Sequence, residues 1–459
     1  MPNSFTLHPS SFRDPSGFIF EKDGVLYRQV NKIFKDDFDF FISSGCYANL
    51  VKQGLLIPHE TIQENLTDSS DYYLTLKPEL ISLISYPFEW SFDMLRDAAL
   101  LTLQLLIESV AHGLVLKDAT PYNIQWHNGK LIFIDSLSFE KYNEEKPWIA
   151  YRQFCENFLS PLLLMHYSKL PLQQLQLAYP EGIPLAITKS LLPWRSKFSL
   201  YTYLHIHLHA KVSAKGDTTD NKTANFSNQK LLNLVSSLET LIGKLKTPGQ
   251  QTAWSAYYNE AAQRDDYLAR KTQIIKGWLT NLVDVKTAVD FGANDGLFSK
   301  LLASHNIKTI ASDFDPICIN NLYKEIKSKK EKKVQPLILD IANPSPSIGV
   351  SNTERTAFLK RAKVDIAIAL AVIHHLAIGK NIYFAQVAES FQQVCNYLII
   401  EFVPKTDEKI QLMLNNKKDI YDHYTEEGFT QSFSHYFKIE EKLPVGSSGR
   451  VLYLMKKHG

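Results

Sequence analysis

The sequence has few cysteines and no long apolar run. Only 4 of its 459 residues are cysteine, and none has Cys-x-x-Cys spacing, so neither a disulfide framework nor a zinc site is indicated. The most apolar stretch, residues 98–107, is interrupted by Thr102 and Gln104 and is too short to span a bilayer. No basic region followed by an apolar run opens the chain, so we expect no secretory signal.

An excess of charge is also missing. The chain has 50 Lys and Arg residues and 48 Asp and Glu residues. The resulting net charge of +2 does not indicate a nucleic-acid or anionic-membrane partner. Apolar residues make up 45% and charged residues 21%, which is ordinary for a soluble globular protein. We therefore expect a cytoplasmic protein that binds neither nucleic acid nor membrane, and the sequence does not indicate an oligomeric state.

The length and one change in composition predict the domain organisation. A chain this long exceeds one ordinary core, and residues 211–229 have only Val212 and Phe226 as larger apolar side chains. Such a segment buries too little surface to fold alone, so it is predicted as a flexible linker or loop. The predicted parts are domain 1–210, linker 211–229, helical connector 230–286 and domain 287–459.

Short apolar strands alternate with helical stretches from Thr287 onward. This alternation predicts βαβ units and a parallel sheet covered on both faces. No helix is expected between segments 433–440 and 450–456, which predict a closing antiparallel hairpin at one sheet edge. The predicted parallel strands are 288–291, 309–312, 335–339, 364–370 and 397–402.

The first of these strands ends in Asp290 and runs into a Gly-x-x-x-Gly turn. Glycine lets the backbone approach a ligand and lets the next helix pack close to the strand. The spacing matches neither the dinucleotide fingerprint nor a P-loop. By itself, this motif is as compatible with a tight turn as with a ligand site. The turn reads Gly292-Ala293-Asn294-Asp295-Gly296.

Two further acids follow the next two strands. Asp313 lies where this class of fold places the carboxylate that accepts hydrogen bonds from ribose hydroxyls. Asp340 ends the third strand, where it is placed to meet an adenine amine. Asp315 is an alternative to Asp313, although Asp315-Pro316 is typical of a helix start. Three acids at consecutive strand ends favour a ligand site over solvated loop aspartates.

These residues resemble class I S-adenosylmethionine-dependent methyltransferases over roughly residues 288–456. The resemblance implies an α/β fold with a Rossmann-like seven-stranded sheet and S-adenosyl-L-methionine as cofactor. It also implies that the glycine turn lies against the methionine moiety, Asp313 at the ribose and Asp340 at the adenine. The cofactor-binding residues implied are Asp290, Gly292, Asn294, Asp295, Gly296, Asp313, Phe314, Asp340, Ile341 and Ala371.

Candidates for acceptor chemistry follow the fourth strand. Methyl transfer needs in-line alignment and a deprotonated acceptor, and His374 or His375 offers a general base or an orienting hydrogen bond. His374 is favoured because His375 already enters the next helix. Alternatively, one histidine caps that helix and the other packs. Since no HExxH spacing occurs, a metal site with Glu401 is the weaker idea and no metal is expected.

Two other segments carry candidate contacts. The long connection 343–355 resembles a loop in a bacterial methyltransferase subfamily that includes host-specific nodulation proteins, and Glu354 and Arg355 are either substrate or lid contacts or a surface ion pair. Tyr267 and Lys271 lie on a predicted helix before the first strand. Because the family often closes its pocket with such helices, these two are candidates to contact the carboxylate end of the cofactor; the alternative is a place in the core.

The first half carries a different spacing. Asp118, Asn123 and Asp135 reproduce the distances among the catalytic-loop aspartate, the metal-binding asparagine and the metal-binding aspartate of protein kinases. Upstream, Asp23-Gly24 between two β-prone runs predicts a hairpin. Residues 18–170 therefore resemble an α+β kinase-like domain.

This domain departs from the kinase pattern at several points. Lys117 stands where an arginine is usual, Ser136-Leu137 replaces Phe-Gly, and no glycine-rich loop precedes Val25. The strand lysine is also missing, and Arg28 is the nearest basic substitute. Because phosphoryl transfer needs a nucleotide cradle, a degenerate domain is favoured over a phosphotransferase.

The predicted function is methyl transfer from S-adenosylmethionine to an oxygen or nitrogen atom of a small or conjugated metabolite. In this interpretation the kinase-like domain serves substrate capture or assembly. One alternative is a bifunctional methyltransferase and ATP-dependent phosphotransferase. A second alternative is a non-catalytic sensor that binds S-adenosylmethionine.

Overall fold

The structure, a computed structural model, describes residues 5–213, 227–247, 267–415 and 417–459. Most of the predicted linker, residues 214–226, lies outside the described residues. The chain divides into two compact units, the first formed by Met1–Gly249 with Ser347–Arg355 and the second by Gln250–Pro346 with Thr356–Gly459. No described helix has the length and apolar character needed to cross a membrane.

The first unit begins with a five-stranded antiparallel sheet of order β1-β2-β3-β5-β4. The turn between the second and third strands is Asp23-Gly24, with φ of 52° and 74°, which confirms the predicted hairpin. Two strand pairs follow, β6 with β9 and β7 with β8. The strands are β1 Thr6–Leu7, β2 Gly17–Lys22, β3 Val25–Asn31, β4 His59–Ile62, β5 Tyr72–Pro78, β6 Leu114–Leu116, β7 Ile124–His127, β8 Lys130–Phe133 and β9 Phe139–Lys141.

Helices make up most of the rest of the first unit, and Phe92–Val110 is its central one. This helix is apolar on nearly every side, and its buried Thr102 and Ser109 donate hydroxyl hydrogen bonds to carbonyls four residues earlier. The other α-helices are Lys35–Ser43, Cys46–Lys52, Tyr151–Phe154, Ser160–Ser168, Leu175–Ala178, Leu185–Leu191, Leu200–Thr202, His209–Ser213 and Asn228–Lys244. The 3-10 helices are Lys32–Phe34, Pro87–Glu89, Pro121–Asn123, Trp194–Phe198 and Val350–Asn352, and the π-helices are Cys155–Leu159 and Tyr203–Leu208.

The second unit contains a seven-stranded sheet of order β12-β11-β10-β13-β14-β16-β15. Its first five strands are parallel, β16 is antiparallel to β14, and β15 is antiparallel to β16. The mixed α/β class expected from the sequence is confirmed. The strands are β10 Thr287–Phe291, β11 Lys308–Asp313, β12 Val334–Ile338, β13 Val364–Ala369, β14 Cys395–Phe402, β15 Phe437–Pro444 and β16 Val451–Lys457.

Helices cover this sheet. Ile275 and Trp278 of the first one belong to the same buried apolar cluster as strand residues Ile366 and Leu452, because the apolar stripe of that helix faces the sheet. The α-helices are Tyr267–Asn281, Leu297–Ser304, Pro316–Lys329, Phe358–Arg361, Phe384–Gln392, Glu408–Leu414 and Glu426–Phe433, with a π-helical turn at His375–Gly379.

Three boundaries differ from the prediction. Asn228–Lys244 belongs to the first unit and Tyr267–Asn281 to the second, so residues 230–286 are not one connector. The closing hairpin is present, but its first strand starts only at Phe437 because Glu426–Phe433 is helical. Finally, Ser347–Arg355 lies in the first unit although its sequence interrupts the last domain.

The order of the strands creates a switch point at the centre of the sheet. From β10 the chain first adds β11 and β12 on one side and then β13 and β14 on the other. The crevice outside the carboxyl ends of β10 and β13 is the switch point at which open sheets of this kind bind ligands. The turn 292–296 follows β10 at this switch point and enters the helix Leu297–Ser304 through Gly296.

Replacing Gly296 by alanine is expected to destabilise the protein by about 2 kcal/mol, because left-handed backbone costs a side chain about 1–2 kcal/mol and the added methyl crowds a neighbour. Gly296 has φ of +77°, and a Cβ there would lie 2.7 Å from Leu322 Cδ1. Urea denaturation of the full chain measures the change. The matched control is Gly277→Ala, in a helix where a Cβ meets nothing within 4 Å. That variant should gain about 0.5–1 kcal/mol, and equal midpoints for the two variants would contradict the expectation.

Candidate functional site

The turn after β10 is held against the end of β11. The backbone N–H groups of Gly292 and Ala293 both donate to the carbonyl of Ser312, at 2.9 Å. Gly292 has φ of +74°, and a Cβ there would lie 2.7 Å from Val372 Cγ2. Since Val372 follows β13, the turn is confined on both sides and only glycine fits this approach.

Asp290 lies beneath the turn, where it is buried. Its carboxylate accepts a 2.7 Å hydrogen bond from the hydroxyl of Ser299, on the helix that the turn introduces. Burial raises the pKa of Asp290 to about 7, with the charge of Asp313 adding to the effect. Asp290 therefore fastens strand to helix, and its predicted contact with a cofactor stays a prediction.

Asp313 joins the two loops at the centre of the sheet. One carboxylate oxygen accepts the backbone N–H of Asn294 at 2.8 Å, and the other accepts that of Asp315 at 2.9 Å. Burial raises the pKa of Asp313 to about 6. Asp315 caps the next helix by accepting the N–H of Ile317 at 2.8 Å, as its Asp-Pro motif indicates.

The remaining predicted cofactor residues lie along the same sheet edge. Phe314 is 55% exposed directly after β11. Asp340 follows β12, accepts the N–H of Ala342 at 2.9 Å and lies 3.9 Å from the ammonium of Lys380. Asn294 and Ala371 have positive φ, of 51° and 54°. Asp295 is exposed at the turn, and Ile341 follows Asp340 and is half-buried.

The two adjacent histidines lie in the loop after β13, with ring centroids 4.1 Å apart. His374 is buried, and burial and then His375 hold its pKa well below the usual value. Among the described residues its Nδ1 has no hydrogen-bond partner. His375, the first residue of the π-helical turn, has a pKa lowered to about 4 by burial and by Arg450. Both rings are therefore neutral at neutral pH.

A buried charge cluster lies in the same unit, and the sequence did not reveal it as a cluster. The ammonium of Lys271 is 2.6 Å from Glu401 on β14, and the hydroxyl of Tyr267 donates to the same carboxylate. Arg450 donates to the Tyr267 oxygen at 2.8 Å and to Asp407 at 2.8 Å. Burial opposes ionisation of Glu401, but the charges of Lys271 and Arg450 keep its pKa below the usual value.

The partners in this cluster change the interpretation of Tyr267 and Lys271. Both side chains are bonded to Glu401, so they hold the helix Tyr267–Asn281 to the sheet. A single acid within the apolar strand β14 is the sequence signal that a buried partner is needed. Contact of Tyr267 and Lys271 with a cofactor carboxylate stays a prediction.

The three kinase-like residues come together in the first unit. The amide of Asn123 donates to Asp118 at 3.2 Å and to Asp135 at 3.4 Å. Burial, and then the neighbouring charge of Asp135, raises the pKa of Asp118. Asp135 is ion-paired at 2.6 Å with Arg28, which lies on β3. The basic residue named from the sequence thus neutralises one of the two acids.

Glu354 and Arg355 lie in the segment Ser347–Arg355 of the first unit. Glu354 is 4% exposed and accepts two hydrogen bonds of 3.0 Å from the guanidinium of Arg13. Arg355 pairs with Glu354 at 3.2 Å and stacks 4.2 Å above the ring of Tyr122. The ion pair expected at the surface is therefore largely buried.

The described residues contain no group of three or more His, Cys, Asp or Glu side chains placed to hold a metal ion. The four cysteines are buried, and none of them forms a disulfide. For Asp290 and Asp313, at the centre of the sheet, burial is the largest influence on the pKa.

Asp290 is expected to make the protein less stable as the pH rises from about 4 to about 7, by up to about 4 kcal/mol. A folded-state pKa of about 7 against 3.8 for the free group means that the folded protein holds a proton that the unfolded chain has released over this window. The variant Asp290→Asn keeps an acceptor for Ser299 but does not titrate. Urea denaturation at several pH values should therefore show its stability rising relative to wild type with pH.

The matched control is Asp422→Asn, at an exposed position of the same unit. Its stability should parallel that of the wild type at every pH. Parallel profiles for Asp290→Asn would instead show that the buried carboxyl does not govern this pH dependence.

Comparison with known proteins adds one relative that spans the chain. No family model matches. The nodulation protein NoeA of Rhizobium meliloti (strain 1021) is 33% identical over 461 residues, which cover 97% of this chain and 95% of that protein.

Two solved structures of methyltransferases are similar to this chain, both at low TM-scores. The N-methyltransferase NodS from Bradyrhizobium japonicum WM9, in complex with S-adenosyl-L-homocysteine, has a TM-score of 0.33 at 11% identity and covers 45% of this chain and 100% of its own. The bifunctional kinase-methyltransferase WbdD has a TM-score of 0.30 at 18% identity over 48% of this chain and 46% of its own. Scores this low do not establish a shared activity. The similarity to NoeA, by contrast, runs through nearly the whole of both chains, and this chain belongs to the NoeA family.

Proposed function

We propose that the second unit transfers a methyl group from S-adenosylmethionine to an oxygen or nitrogen atom of a small or conjugated metabolite. Asp313 carries the proposal: a buried carboxylate at the switch point, bonded to the glycine-rich turn through Asn294 and to the next loop through Asp315. A carboxylate has about four acceptor positions, so Asp313 can accept hydroxyl donors as well as these N–H groups.

The residues at this sheet edge fit the chemical groups of the cofactor. Vicinal ribose hydroxyls suit Asp313, an adenine amine suits Asp340, and the exposed ring of Phe314 offers a stacking surface. Acids at three neighbouring strand ends repel a pyrophosphate but complement a sulfonium cation. The geometry therefore supports a phosphate-free, cationic nucleoside over a dinucleotide.

When bound, S-adenosylmethionine supplies an electrophilic methyl group, so the chain's own part is alignment and control of the acceptor proton. His374 and His375 are neutral, and the low pKa of both rings makes them weak bases. A neutral imidazole nitrogen can still accept a hydrogen bond and so orient a hydroxyl or amine. This supports an orienting role, in which His374 remains the favoured residue and Nδ1 the available atom.

For the first unit we propose substrate capture or assembly. Its site is lined by Asp118 and Asn123, but Arg28 already neutralises Asp135. The hairpin between β2 and β3 turns in two residues and offers no glycine-rich cradle for phosphates. The name of the relative associates that protein with nodulation, and we extend the association to this chain as part of the proposal.

Phosphoryl transfer by the first unit is a second candidate, because the structure gathers Asp118, Asn123 and Asp135 within hydrogen-bonding range. A sensor that binds S-adenosylmethionine without turnover is the third. It differs from the first proposal only in showing cofactor binding with no product on any acceptor.

The variant Asp313→Asn is expected to weaken binding of S-adenosylhomocysteine by about 10- to 100-fold, since a hydrogen bond to a charged group contributes about 1.5–3 kcal/mol. Isothermal titration calorimetry on the full chain measures this. Asp340→Asn, at a partly exposed position, should cost about tenfold without disturbing the turn. The surface variant Asp422→Asn should bind as wild type. Unchanged affinity in a folded Asp313→Asn protein would reject the ribose assignment.

The phosphotransferase candidate predicts heat on titrating ATP with Mg²⁺ into the full chain. The heat should fall sharply in Asp135→Asn, because this variant loses a carboxylate, a ligand that Mg²⁺ prefers. Asp14→Asn, which alters the partner of Lys117, is the matched control. No heat with wild type would remove this candidate and leave substrate capture.

A further inference from the structure

The described part of the first unit exposes an apolar surface. Of the 21 exposed large apolar side chains among the described residues, seven fall between residues 191 and 212. Trp194 and Phe198 are 71% and 76% exposed and pack edge to face. We call this the apolar patch: Leu191, Trp194, Phe198, Leu200, Leu204, Leu208 and Val212. Monomeric proteins rarely expose so many large apolar side chains together without a partner.

The helical segment 200–213 turns its apolar side outward. Leu204 and Leu208 follow Leu200 at intervals of four, and the π-helical stretch Tyr203–Leu208 keeps that spacing on one face. A surface helix normally has the opposite arrangement, with its apolar stripe in the core. The sequence of this segment therefore places its leucines on the exposed face of the helix.

Histidines occupy the inward side of the same segment. His205 bonds to the hydroxyl of Tyr151 at 2.7 Å and to that of Ser237 at 3.0 Å. His207 bonds to the hydroxyl of Ser196 at 2.8 Å. These hydrogen bonds anchor both rings inside the unit, although Nδ1 of His207 has no partner among the described residues. The helix is thereby held with its leucines facing out.

The described segment that carries the patch is basic. Residues 182–213 contain no Asp or Glu but four basic residues, Lys189, Arg195, Lys197 and Lys211. Burial lowers the pKa of His207, and the charges of Lys197, Lys189 and Lys211 lower it further, so all three lie within electrostatic range of this ring. A net charge of +2 for the whole chain conceals this local excess.

We propose that the apolar patch with its basic rim docks the protein on an anionic lipid surface. Exposed tryptophan and phenylalanine beside lysine and arginine are the side chains that settle at a bilayer interface, where rings enter the headgroup region and cations meet lipid phosphates. Such docking is peripheral and needs no membrane-spanning helix.

A second copy of the chain fits the same surface less well. In a two-fold interface the patch of one chain contacts the same patch of the second chain. Lysines of one patch would therefore meet lysines of the other. The segment has no acid to pair with them. Charge complementarity therefore favours an anionic partner.

The test is cosedimentation of the full chain with vesicles of phosphatidylcholine alone and of phosphatidylcholine with phosphatidylglycerol. We expect binding to the anionic vesicles only, and weaker binding at high salt. The double variant Trp194→Ser/Phe198→Ser should bind at least about tenfold more weakly, because two aromatic side chains no longer enter the interface. Lys189→Gln and Lys197→Gln should each cost about fivefold.

A matched double variant, Ile33→Ser/Leu80→Ser, removes two exposed apolar side chains of the same unit outside the patch, which are 76% and 67% exposed. It should bind as wild type, and all variants should melt as wild type. No binding to anionic vesicles, or equal binding by the patch and control variants, would overturn the proposal. A light-scattering mass of a dimer that the patch variant converts to monomer, without vesicle binding, would assign the patch to a second copy and overturn it too.

Discussion

The buried carboxylate of Glu401 is a constraint on which the second unit depends, because a charge without solvent needs cations beside it. Lys271 comes from the helix before the sheet and Arg450 from the residue before β16, while Glu401 lies on β14. One side chain thus holds three elements against one another. Leaving a buried charge without its partner costs about 3–5 kcal/mol, so each member fixes the others in place.

The charges of this cluster compensate one another, with Lys271 and Arg450 as its cations and Glu401 and Asp407 as its anions. The acids at the ends of β10, β11 and β12 lie outside it, and among them Asp340 is 3.9 Å from the ammonium of Lys380. Asp290 and Asp313 have raised pKa values because burial disfavours the carboxylate form. A cationic ligand at this edge would favour ionisation of both groups, so its binding would be coupled to the loss of protons.

The sequence predicted the features that depend on residues close together in the chain. Alternating apolar segments located the strands of the second unit, the Asp23-Gly24 hairpin was confirmed, and the spacing of Asp118, Asn123 and Asp135 anticipated a cluster that the structure assembles. It could not predict the partners of Glu401, since Lys271 is 130 residues away and no periodicity links them. The same holds for Ser347–Arg355, whose place in the first unit depends on Arg13, 341 residues before Glu354.

Net charge and apolar content, which are averages over the whole chain, could not predict the apolar patch for a related reason. A net charge near zero argues against an anionic partner only if charges are evenly distributed, and residues 182–216 have none of the 48 acids. Apolar content misleads in the same way, because it does not say which face of a helix the leucines take. In the segment 200–213 the hydrogen bonds of His205 and His207 decide that face. Hydrogen bonds in the interior of the first unit therefore account for the apolar patch on its surface.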